Sequence, residues 1–283
     1  MFFIDCHRIE LCAVYPKFVR LKNRNLLPHP ANRPVRERAQ AIGYSLEQLE
    51  TVDSTNNYAL AKVQAGEATH GSAYLAREQT AGKGQRGRRW LSRPGESILL
   101  SIVLEPLFLR ANQQFLLTAS VALAALDWLQ SNCPGETSIK WPNDIYWRDR
   151  KAGGILTETL YRGKKIRYAV VGIGININQL TFPGDLPNPI SLAQITGSQR
   201  SIPPLALELC AFLEHRYRQL QKGDSEILLK AYNASLYRRG QKILLKHQGR
   251  QMDTILRSVT AQGDLVGGEG RRFRFGEVEW VQG

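Results

Sequence analysis

The sequence predicts an α/β (α+β) fold in which a domain of mixed strands and helices is followed by a small β-barrel. Patterns of strand and helix alternate from residue 46 to residue 237. Beyond residue 240, four short strand patterns are separated by glycine-containing turns, as is typical of a small barrel. Residues 1–40 contain eight Lys or Arg against three Asp or Glu, and they show no sustained periodicity. We therefore expect a basic, proline-containing and poorly ordered extension (1–40), a main domain (41–237) and a barrel domain (238–283).

The elements of both domains are predicted from periodicity and from residues that begin or end helices. Residues 46–52 form the first strand, and Asp53 or Ser54 caps a helix that ends near Gly66. Residues 97–105 are almost continuously apolar, which indicates a central strand that is buried on both faces. Further strands are expected at 72–77, 138–147, 154–160 and 167–177, helices at 111–130, 203–221 and 225–237, and barrel strands at 242–246, 254–259, 264–266 and 272–278.

Composition indicates the kind of partner and the compartment. The chain has 283 residues, of which 43% are hydrophobic, and a formal net charge of +13. Such a charge indicates a phosphate-bearing or acidic partner. The four cysteines form no C-x-x-C pair, and no apolar stretch has the length of a membrane span. We therefore expect free thiols, a cytoplasmic protein and no membrane partner.

A glycine-rich segment at residues 79–90 is the strongest candidate for a binding site. Gly82, Gly84 and Gly87 allow tight turns and a close approach of the backbone to a ligand. Four cations of this segment would attract an anion: Lys83, Arg86, Arg88 and Arg89. The glycine spacing matches the dinucleotide-binding motif, but the Pro-Gly pair at 94–95 leaves no room for the helix that this motif requires. We therefore predict an anion-binding loop between two strands; a solvated charged hairpin is the alternative.

Polar side chains cluster at two other points, each with a simple structural alternative. Ser54, Thr55 and Asn56 offer hydroxyl and amide groups at the start of a helix, where such residues also act as caps. Asn143 and Asp144 follow a proline, where they suit a phosphate or a metal ion but also an Asx turn.

Four segments, taken together, resemble one known family. They are Asp-Ser-Thr-Asn at 53–56, the glycine-rich segment at 79–90, Lys-Trp-Pro-Asn-Asp at 140–144 with Lys-Ala-Gly-Gly-Ile at 151–155, and Gly-Ile-Gly-Ile-Asn-Ile-Asn at 172–178. In order and spacing they are similar to the biotin protein ligases, also called biotin–[acetyl-CoA-carboxylase] ligases, over residues 46–283. The resemblance implies a catalytic domain like that of class II aminoacyl-tRNA synthetases and an SH3-like β-barrel. Because only 45 residues precede the first strand, we expect the monofunctional type without an N-terminal DNA-binding domain.

The resemblance also implies a reaction in two steps. Biotin and ATP give biotinyl-5′-AMP and pyrophosphate, and a lysine of a biotin carboxyl carrier protein then takes the biotin and releases AMP. The implied catalytic residues are Lys151, Lys83, Arg86 and Asp144. Lys151 would bridge the biotin carboxylate and the α-phosphate, although its hairpin alone suggests a solvated turn lysine. Asp144 would hold Mg²⁺ or the phosphates, or would help to deprotonate the acceptor lysine.

Two sets of residues are implied to bind the substrates. For biotin they are Ser54, Thr55, Asn56, Gln79, Gly82, Lys83, Gly84, Gln85, Lys151 and Gly154. For ATP they are Lys83, Arg86, Arg88, Arg89, Trp90, Asn143, Lys151 and Asn176. The expected acceptor is the biotin carboxyl carrier protein of acetyl-CoA carboxylase, and a homodimer is also compatible with the family.

Two other functions fit parts of the sequence. A lipoate or octanoate ligase would share the catalytic fold, but the Arg-Arg pair before three glycines and the following His-Asp of that family are absent. A biotin-sensing DNA-binding regulator would need a winged helix within 45 residues whose C-terminal half is crowded with prolines. We therefore expect a biotin ligase, with the lipoate-type ligase as the alternative and without DNA binding.

Gln85 departs from the arginine that most members of this family have at the matching position. A glutamine keeps the capacity to form hydrogen bonds but carries no charge to order the loop over the adenylate. We expect Gln85→Arg to slow the release of biotinyl-AMP several-fold, as measured by the off-rate of the preformed adenylate. An unchanged off-rate would contradict this expectation.

Overall fold

The computed structural model describes residues 41–184, 186 and 188–281, so the extension predicted at residues 1–40 lies outside the described residues. Its centre is a seven-stranded mixed sheet with the order β1-β2-β3-β7-β6-β5-β4, in which only β1 and β2 run parallel. The strands are β1 (Leu46–Val52), β2 (Ala73–Gln79), β3 (Ser97–Leu104), β4 (Thr137–Lys140), β5 (Asp144–Trp147), β6 (Arg150–Arg162) and β7 (Lys165–Asn176). All eight residues of β3 are buried, which confirms the predicted two-sided strand.

Helices cover both faces of this sheet. They are α1 (Thr55–Gln64), α2 (Gln114–Asn132), α3 (Leu192–Thr196), α4 (Ile202–Gln221) and α5 (Ser225–Ala234). The helix α1 packs on one face, where its apolar residues meet Tyr74, Val103 and Val170. The opposite face carries α2, which is mostly buried because α4 and α5 pack on its outer side. Among the described residues, none of the helices combines the length and the apolar character that a bilayer crossing requires.

The C-terminal residues form two small antiparallel sheets. One has the order β13-β8-β9 and the other β10-β11-β12. The strands are β8 (Lys242–His247), β9 (Arg250–Ile255), β10 (Ser258–Val259), β11 (Leu265–Val266), β12 (Arg272–Phe273) and β13 (Val278–Trp280). Their buried residues, such as Leu245 and Phe273, belong to the same apolar core as the main sheet. Because no pairing between described strands joins the two sheets, the closed SH3-like barrel stays a prediction.

Three predicted strands are each divided between two elements in the structure, and one short helix was not predicted. Residues 138–147 are a hairpin of β4 and β5 rather than one strand, because Pro142 cannot donate a hydrogen bond to a strand ladder. Residues 254–259 are likewise divided between β9 and β10, and residues 272–278 are divided between β12 and β13. The short helix α3 was not predicted; it begins at Ser191, whose Oγ accepts a hydrogen bond from the N–H of Gln194 at 3.1 Å.

Because α2 is closely packed, a substitution that leaves an empty space beneath it should lower the stability of the protein. Leu117 is fully buried there, and we expect Leu117→Ala to lower the free energy of unfolding by about 3 kcal/mol, measured by urea denaturation. Ile227 on α5 is 62% exposed, so Ile227→Ala is the control and should change that free energy by about 0.5 kcal/mol or less. Equal effects of the two substitutions would contradict the described packing.

Candidate functional site

A cavity of about 280 Å³ lies on the face of the central sheet that α1 covers. Its walls come from the glycine-rich loop, the start of α1, the turn between β4 and β5, the middle of β6 and β7, and strand β13. The predicted site residues that line it are Ser54, Thr55, Asn56, Gln79, Lys83, Gly84, Gln85, Arg86, Arg88, Arg89, Trp90, Asn143, Asp144, Lys151, Gly154 and Asn176. Segments that are far apart in sequence therefore meet here, while the role of each residue stays a prediction.

The glycine-rich loop is an ordered hairpin between β2 and β3. The N–H of Trp90 donates to the carbonyl of Gly82 at 2.9 Å, and the N–H of Gly84 donates to the carbonyl of Arg88 at 2.7 Å. A Cβ on Gly82 would lie 2.5 Å from the carbonyl oxygen of Trp90, so a side chain there would separate the two arms. Gly82, the predicted site residue that does not line the cavity, therefore shapes the loop.

The indole of Trp90 lies on strand backbone that carries no side chains. A Cβ on Gly174 would be 2.5 Å from Cε2 of Trp90, and one on Gly154 would be 3.4 Å from its Cζ3. Gly172 lies on the same face of β7, two residues away, and a Cβ there would overlap the side-chain oxygen of Asn56. The Nε1 of Trp90 is buried without a hydrogen-bond partner. A ligand atom that accepts a hydrogen bond would satisfy it.

Polar side chains form a connected network at one end of the cavity. The Oε1 of Gln79 accepts from the backbone N–H of Thr55 at 2.8 Å and lies 3.0 Å from the Thr55 hydroxyl. The hydroxyl of Ser101 lies 2.7 Å from that of Thr55 and 2.6 Å from Oδ1 of Asn56. Ser54 stands at the N-cap position of α1, as predicted, but its side chain makes no capping hydrogen bond. Ser101 was not predicted, because a serine within the apolar strand β3 gives no signal in the sequence.

Lys151 and Asp144 form an ion pair in the wall of the cavity. The Nζ of Lys151 is 2.7 Å from Oδ1 of Asp144, and both side chains are about three quarters buried. The backbone of Lys151 is held at both of its polar groups: its N–H donates to Asn188 and its carbonyl accepts from Ile190, each at 2.9 Å. Lys151 is therefore not the solvated turn lysine that its hairpin alone suggests.

Two cations of the loop contact neighbouring polar groups. The Nζ of Lys83 lies 3.8 Å from a carboxylate oxygen of Glu158, with both side chains partly exposed. Arg89 donates to the carbonyl of Thr80 at 3.2 Å. Both contacts are with solvent-accessible groups, so the side chains can exchange them for an anionic ligand at low cost.

Arg86 joins the loop to the C-terminal strands. It donates to the carbonyl of Val278 at 3.2 Å, lies 3.9 Å from Glu279 and places its guanidinium 5.1 Å from the centre of the Phe275 ring. Its backbone is left-handed, with φ of 56°. The sequence gives no sign of these contacts, because about 190 residues separate the partners.

Lys140 is a buried cation that was not predicted as a site residue, although it begins the Lys-Trp-Pro-Asn-Asp motif. Its Nζ donates to the hydroxyl of Tyr146 at 3.2 Å and lies 5.2 Å from the centres of both the Tyr146 and Trp280 rings. Burial lowers the pKa of Lys140 to about 8, and the Asp144 carboxylate partly opposes this shift. The residue thus supplies positive charge near neutral pH that is lost in mild alkali.

The amide side chains of Asn143 and Asn176 support the cavity wall. Asn143 donates to the carbonyl of Ile155, and Asn176 donates to the carbonyl of Ile190 at 3.1 Å. Within the part of the chain that the structure describes, no three His, Cys, Asp or Glu side chains are grouped to hold a metal ion. Asp144, the predicted metal ligand, is paired with Lys151. This donor set does not fit a metal ion held by the protein alone.

The sequence is similar to known ligases. A family model described as "Biotin/lipoate A/B protein ligase family" matches residues 49–176. The chain is 30% identical over 253 residues to the biotin–[acetyl-CoA-carboxylase] ligase of Mycobacterium tuberculosis, covering 86% of this chain and 92% of that protein. It is 32% identical over 209 residues to the bifunctional ligase/repressor BirA of Bacillus spizizenii, covering 71% of this chain and 63% of that protein. The match thus spans less than two thirds of the Bacillus relative.

The fold is similar to solved structures of the biotin protein ligase from Aquifex aeolicus. A variant of that protein in complex with biotin matches with 25% identity and a TM-score of 0.71. Its complex with biotin and ATP matches with 24% identity and a TM-score of 0.72. Both matches cover 84% of this chain and 99% of the Aquifex chain.

The buried position of Lys140 predicts a pH-dependent stability. Because folding lowers its pKa from 10.5 to about 8, the unfolded chain binds more protons between these values, and the folded state gains stability as the pH rises through them. Relative to Lys140→Met, the wild type should gain about 2 kcal/mol in the free energy of unfolding between about pH 7.5 and pH 10. Urea denaturation at several pH values measures this difference.

Lys62 provides the control for this measurement. It is partly exposed, and a hydrogen bond to Glu67 raises its pKa, so Lys62→Met should reveal no such gain. A pH-independent difference between the wild type and Lys140→Met would contradict the described burial.

Proposed function

We infer that this chain, which belongs to the biotin/lipoate A/B protein ligase family, is an ATP-dependent biotin protein ligase. It activates biotin to biotinyl-5′-AMP and transfers the biotin to a lysine of the biotin carboxyl carrier protein of acetyl-CoA carboxylase. One observation supports the proposal most strongly: the same cavity is lined by cations and by a polar network. The cations, from the glycine-rich loop and from β6, suit the reacting anions. The polar network suits a buried neutral ring.

The first chemical step joins two anions, so the cavity must supply positive charge. The biotin carboxylate is ionised at neutral pH and needs no base. One of its oxygens attacks the α-phosphorus of ATP, and the bond from this phosphorus to the pyrophosphate oxygen breaks. A preorganised donor aimed at the developing charge is worth about 3–4 kcal/mol. We assign this role to Lys151, Lys83 and Arg86, with Lys151 between the carboxylate and the α-phosphate.

The second step transfers biotin to the acceptor lysine. Its neutral amine attacks the carbonyl carbon of biotinyl-AMP, and the bond from this carbon to the phosphate oxygen breaks and releases AMP. The attacking nitrogen must also lose a proton. We assign Asp144 as the acceptor of that proton, because its pairing with Lys151 leaves it poorly placed to hold a metal ion. Magnesium would then enter with the phosphates of ATP, as part of the substrate.

The polar network suits the ureido ring of biotin. A buried ureido group needs partners for one carbonyl and two N–H groups, and the Ser54, Thr55 and Gln79 side chains provide both donors and acceptors. The carboxylate end would then reach Lys151 along a wall that includes Gly84, Gln85 and Gly154. The proposed ATP contacts are Arg88, Arg89, Trp90, Asn143 and Asn176, in addition to Lys83, Arg86 and Lys151.

The network also separates this proposal from a lipoate-type ligase. The dithiolane ring of lipoate has no amide group, so it would leave the hydrogen-bonding groups of Thr55 and Gln79 that face the cavity unpaired. We further propose that residues 41–237 are the catalytic domain, related to class II aminoacyl-tRNA synthetases. Residues 238–283 would be an SH3-like barrel domain whose strand β13 completes the cavity. A cytoplasmic location and a homodimer stay predictions.

Biotin-dependent exchange of pyrophosphate into ATP tests this function. We expect exchange with biotin and none with lipoate. Lys151→Ala should lower the exchange rate about 100-fold or more, since it removes the central donor. Lys222→Ala, an exposed lysine at the end of α4, is the control and should leave the rate unchanged. Exchange with lipoate alone, or full activity of Lys151→Ala, would contradict the proposal.

A further inference from the structure

Glu158 on β6 contacts two residues of the site although it does not itself line the cavity. Its Oε2 accepts a hydrogen bond from Nδ2 of Asn56 at 2.7 Å, and its Oε1 lies 3.8 Å from Nζ of Lys83. None of the sequence motifs includes this glutamate. Its position suggests an effect on the site through Asn56, through Lys83, or through both.

Asn56 connects Glu158 to the interior of the polar network. Its side chain is buried, and its Nδ2 also approaches the carbonyl of Leu156 at 3.5 Å. Its Oδ1 lies 2.6 Å from the hydroxyl of Ser101. Because a Cβ on Gly172 would overlap this oxygen, the amide packs directly on the β7 backbone. Both polar ends of Asn56 are therefore used within the protein, and a change at one end affects the other.

The carboxylate of Glu158 determines the direction of the hydrogen bonds along this chain. An ionised carboxylate only accepts, so the NH₂ group of Asn56 faces Glu158 and its carbonyl oxygen faces Ser101. Ser101 has one hydroxyl proton, which it donates to that oxygen. The hydroxyl of Thr55 lies 2.7 Å from that of Ser101 and 3.0 Å from Oε1 of Gln79, so its single proton is donated to one of these two oxygens inside the network.

This direction decides which groups the cavity presents to a ligand. The Thr55 proton is used within the network, toward Ser101 or toward Oε1 of Gln79, which leaves lone pairs of the Thr55 oxygen as acceptors. The Oε1 of Gln79 accepts from the N–H of Thr55, which leaves the Gln79 NH₂ group as a donor. We propose that Glu158 is a positioning residue that sets this pattern for the ureido group of biotin, an inference that rests on the proposed function.

The charge of Glu158 beside Lys83 gives a competing explanation for any effect of its removal. The two side chains are 32% and 41% exposed, and exposed pairs of this kind contribute little. Two substitutions distinguish the explanations. Glu158→Gln removes the charge but keeps an oxygen that can accept from Asn56, whereas Glu158→Met removes both.

The test compares exchange kinetics of the wild type with these variants and with Ser101→Ala and Glu47→Gln. Glu158→Met should raise KM for biotin about tenfold or more, while kcat and KM for ATP stay within about threefold. Glu158→Gln should restore KM for biotin to within about threefold of the wild type.

Ser101→Ala interrupts the chain of hydrogen bonds without changing any charge, and it should act like Glu158→Met. Glu47, on β1, accepts from the hydroxyl of Tyr58 on α1, so Glu47→Gln controls for a general effect of removing a carboxylate that contacts this helix and should leave both KM values unchanged.

Each other outcome overturns the inference. Equal impairment of Glu158→Gln and Glu158→Met would assign the effect to charge, and an unchanged KM in Glu158→Met would show that Glu158 positions nothing. Parallel rises in both KM values, or an equal rise in Glu47→Gln, would indicate a general loss of structure. Absence of biotin-dependent exchange in the wild type would refute the proposed function and this inference together. Normal wild-type exchange would leave the proposed function standing while these variants decide the inference.

Discussion

The absence of side chains at two neighbouring positions on one face of β7 is the constraint on which the site depends. Gly172 and Gly174 let the amide of Asn56 and the indole of Trp90 lie directly on the strand. A glycine within a strand costs roughly 0.5–1 kcal/mol relative to alanine. The buried strand β3 beside it and the packed helix α2 on the far face offset that cost. The two glycines thus lower the local stability of the sheet, but they make room for a cavity with an aromatic wall and a polar end.

The cations of the cavity are held in place by carboxylate partners, but they can still bind an anionic substrate. Each of three cations has one carboxylate neighbour: Lys151 with Asp144, Lys83 with Glu158, and Arg86 with Glu279. The pairs of Lys83 and Arg86 are partly exposed, and such pairs contribute about 0–1 kcal/mol, whereas the pair of Lys151 and Asp144 is about three quarters buried. A substrate that carries several phosphate oxygens can therefore replace the carboxylates of the two exposed pairs. Arg86 additionally connects the loop to β13, so the position of the loop and the placement of the C-terminal strands depend on each other.

The sequence predicts the parts of the site that are local in the chain. The glycine-rich loop, the start of α1 and the buried strand β3 follow from residue spacing and composition alone. Ser101, Glu158 and Lys140 could not be found in this way, because their roles depend on which strands become neighbours. Sheet order, which pairs β3 with β7 and β7 with β6, brings Ser101 and Glu158 to Asn56. The contacts of β13 with the loop also depend on tertiary packing, so no local pattern reveals them.

Titration of biotin into Gly174→Ala tests the central role of the bare strand face most directly. The added methyl group would displace the Trp90 indole, and a shift of about 1 Å in a site of this kind is expected to weaken biotin binding tenfold or more. Gly184→Ala, where the methyl group meets no atom within 4 Å, should bind biotin like the wild type. Unchanged biotin affinity in a folded Gly174→Ala protein would contradict the account.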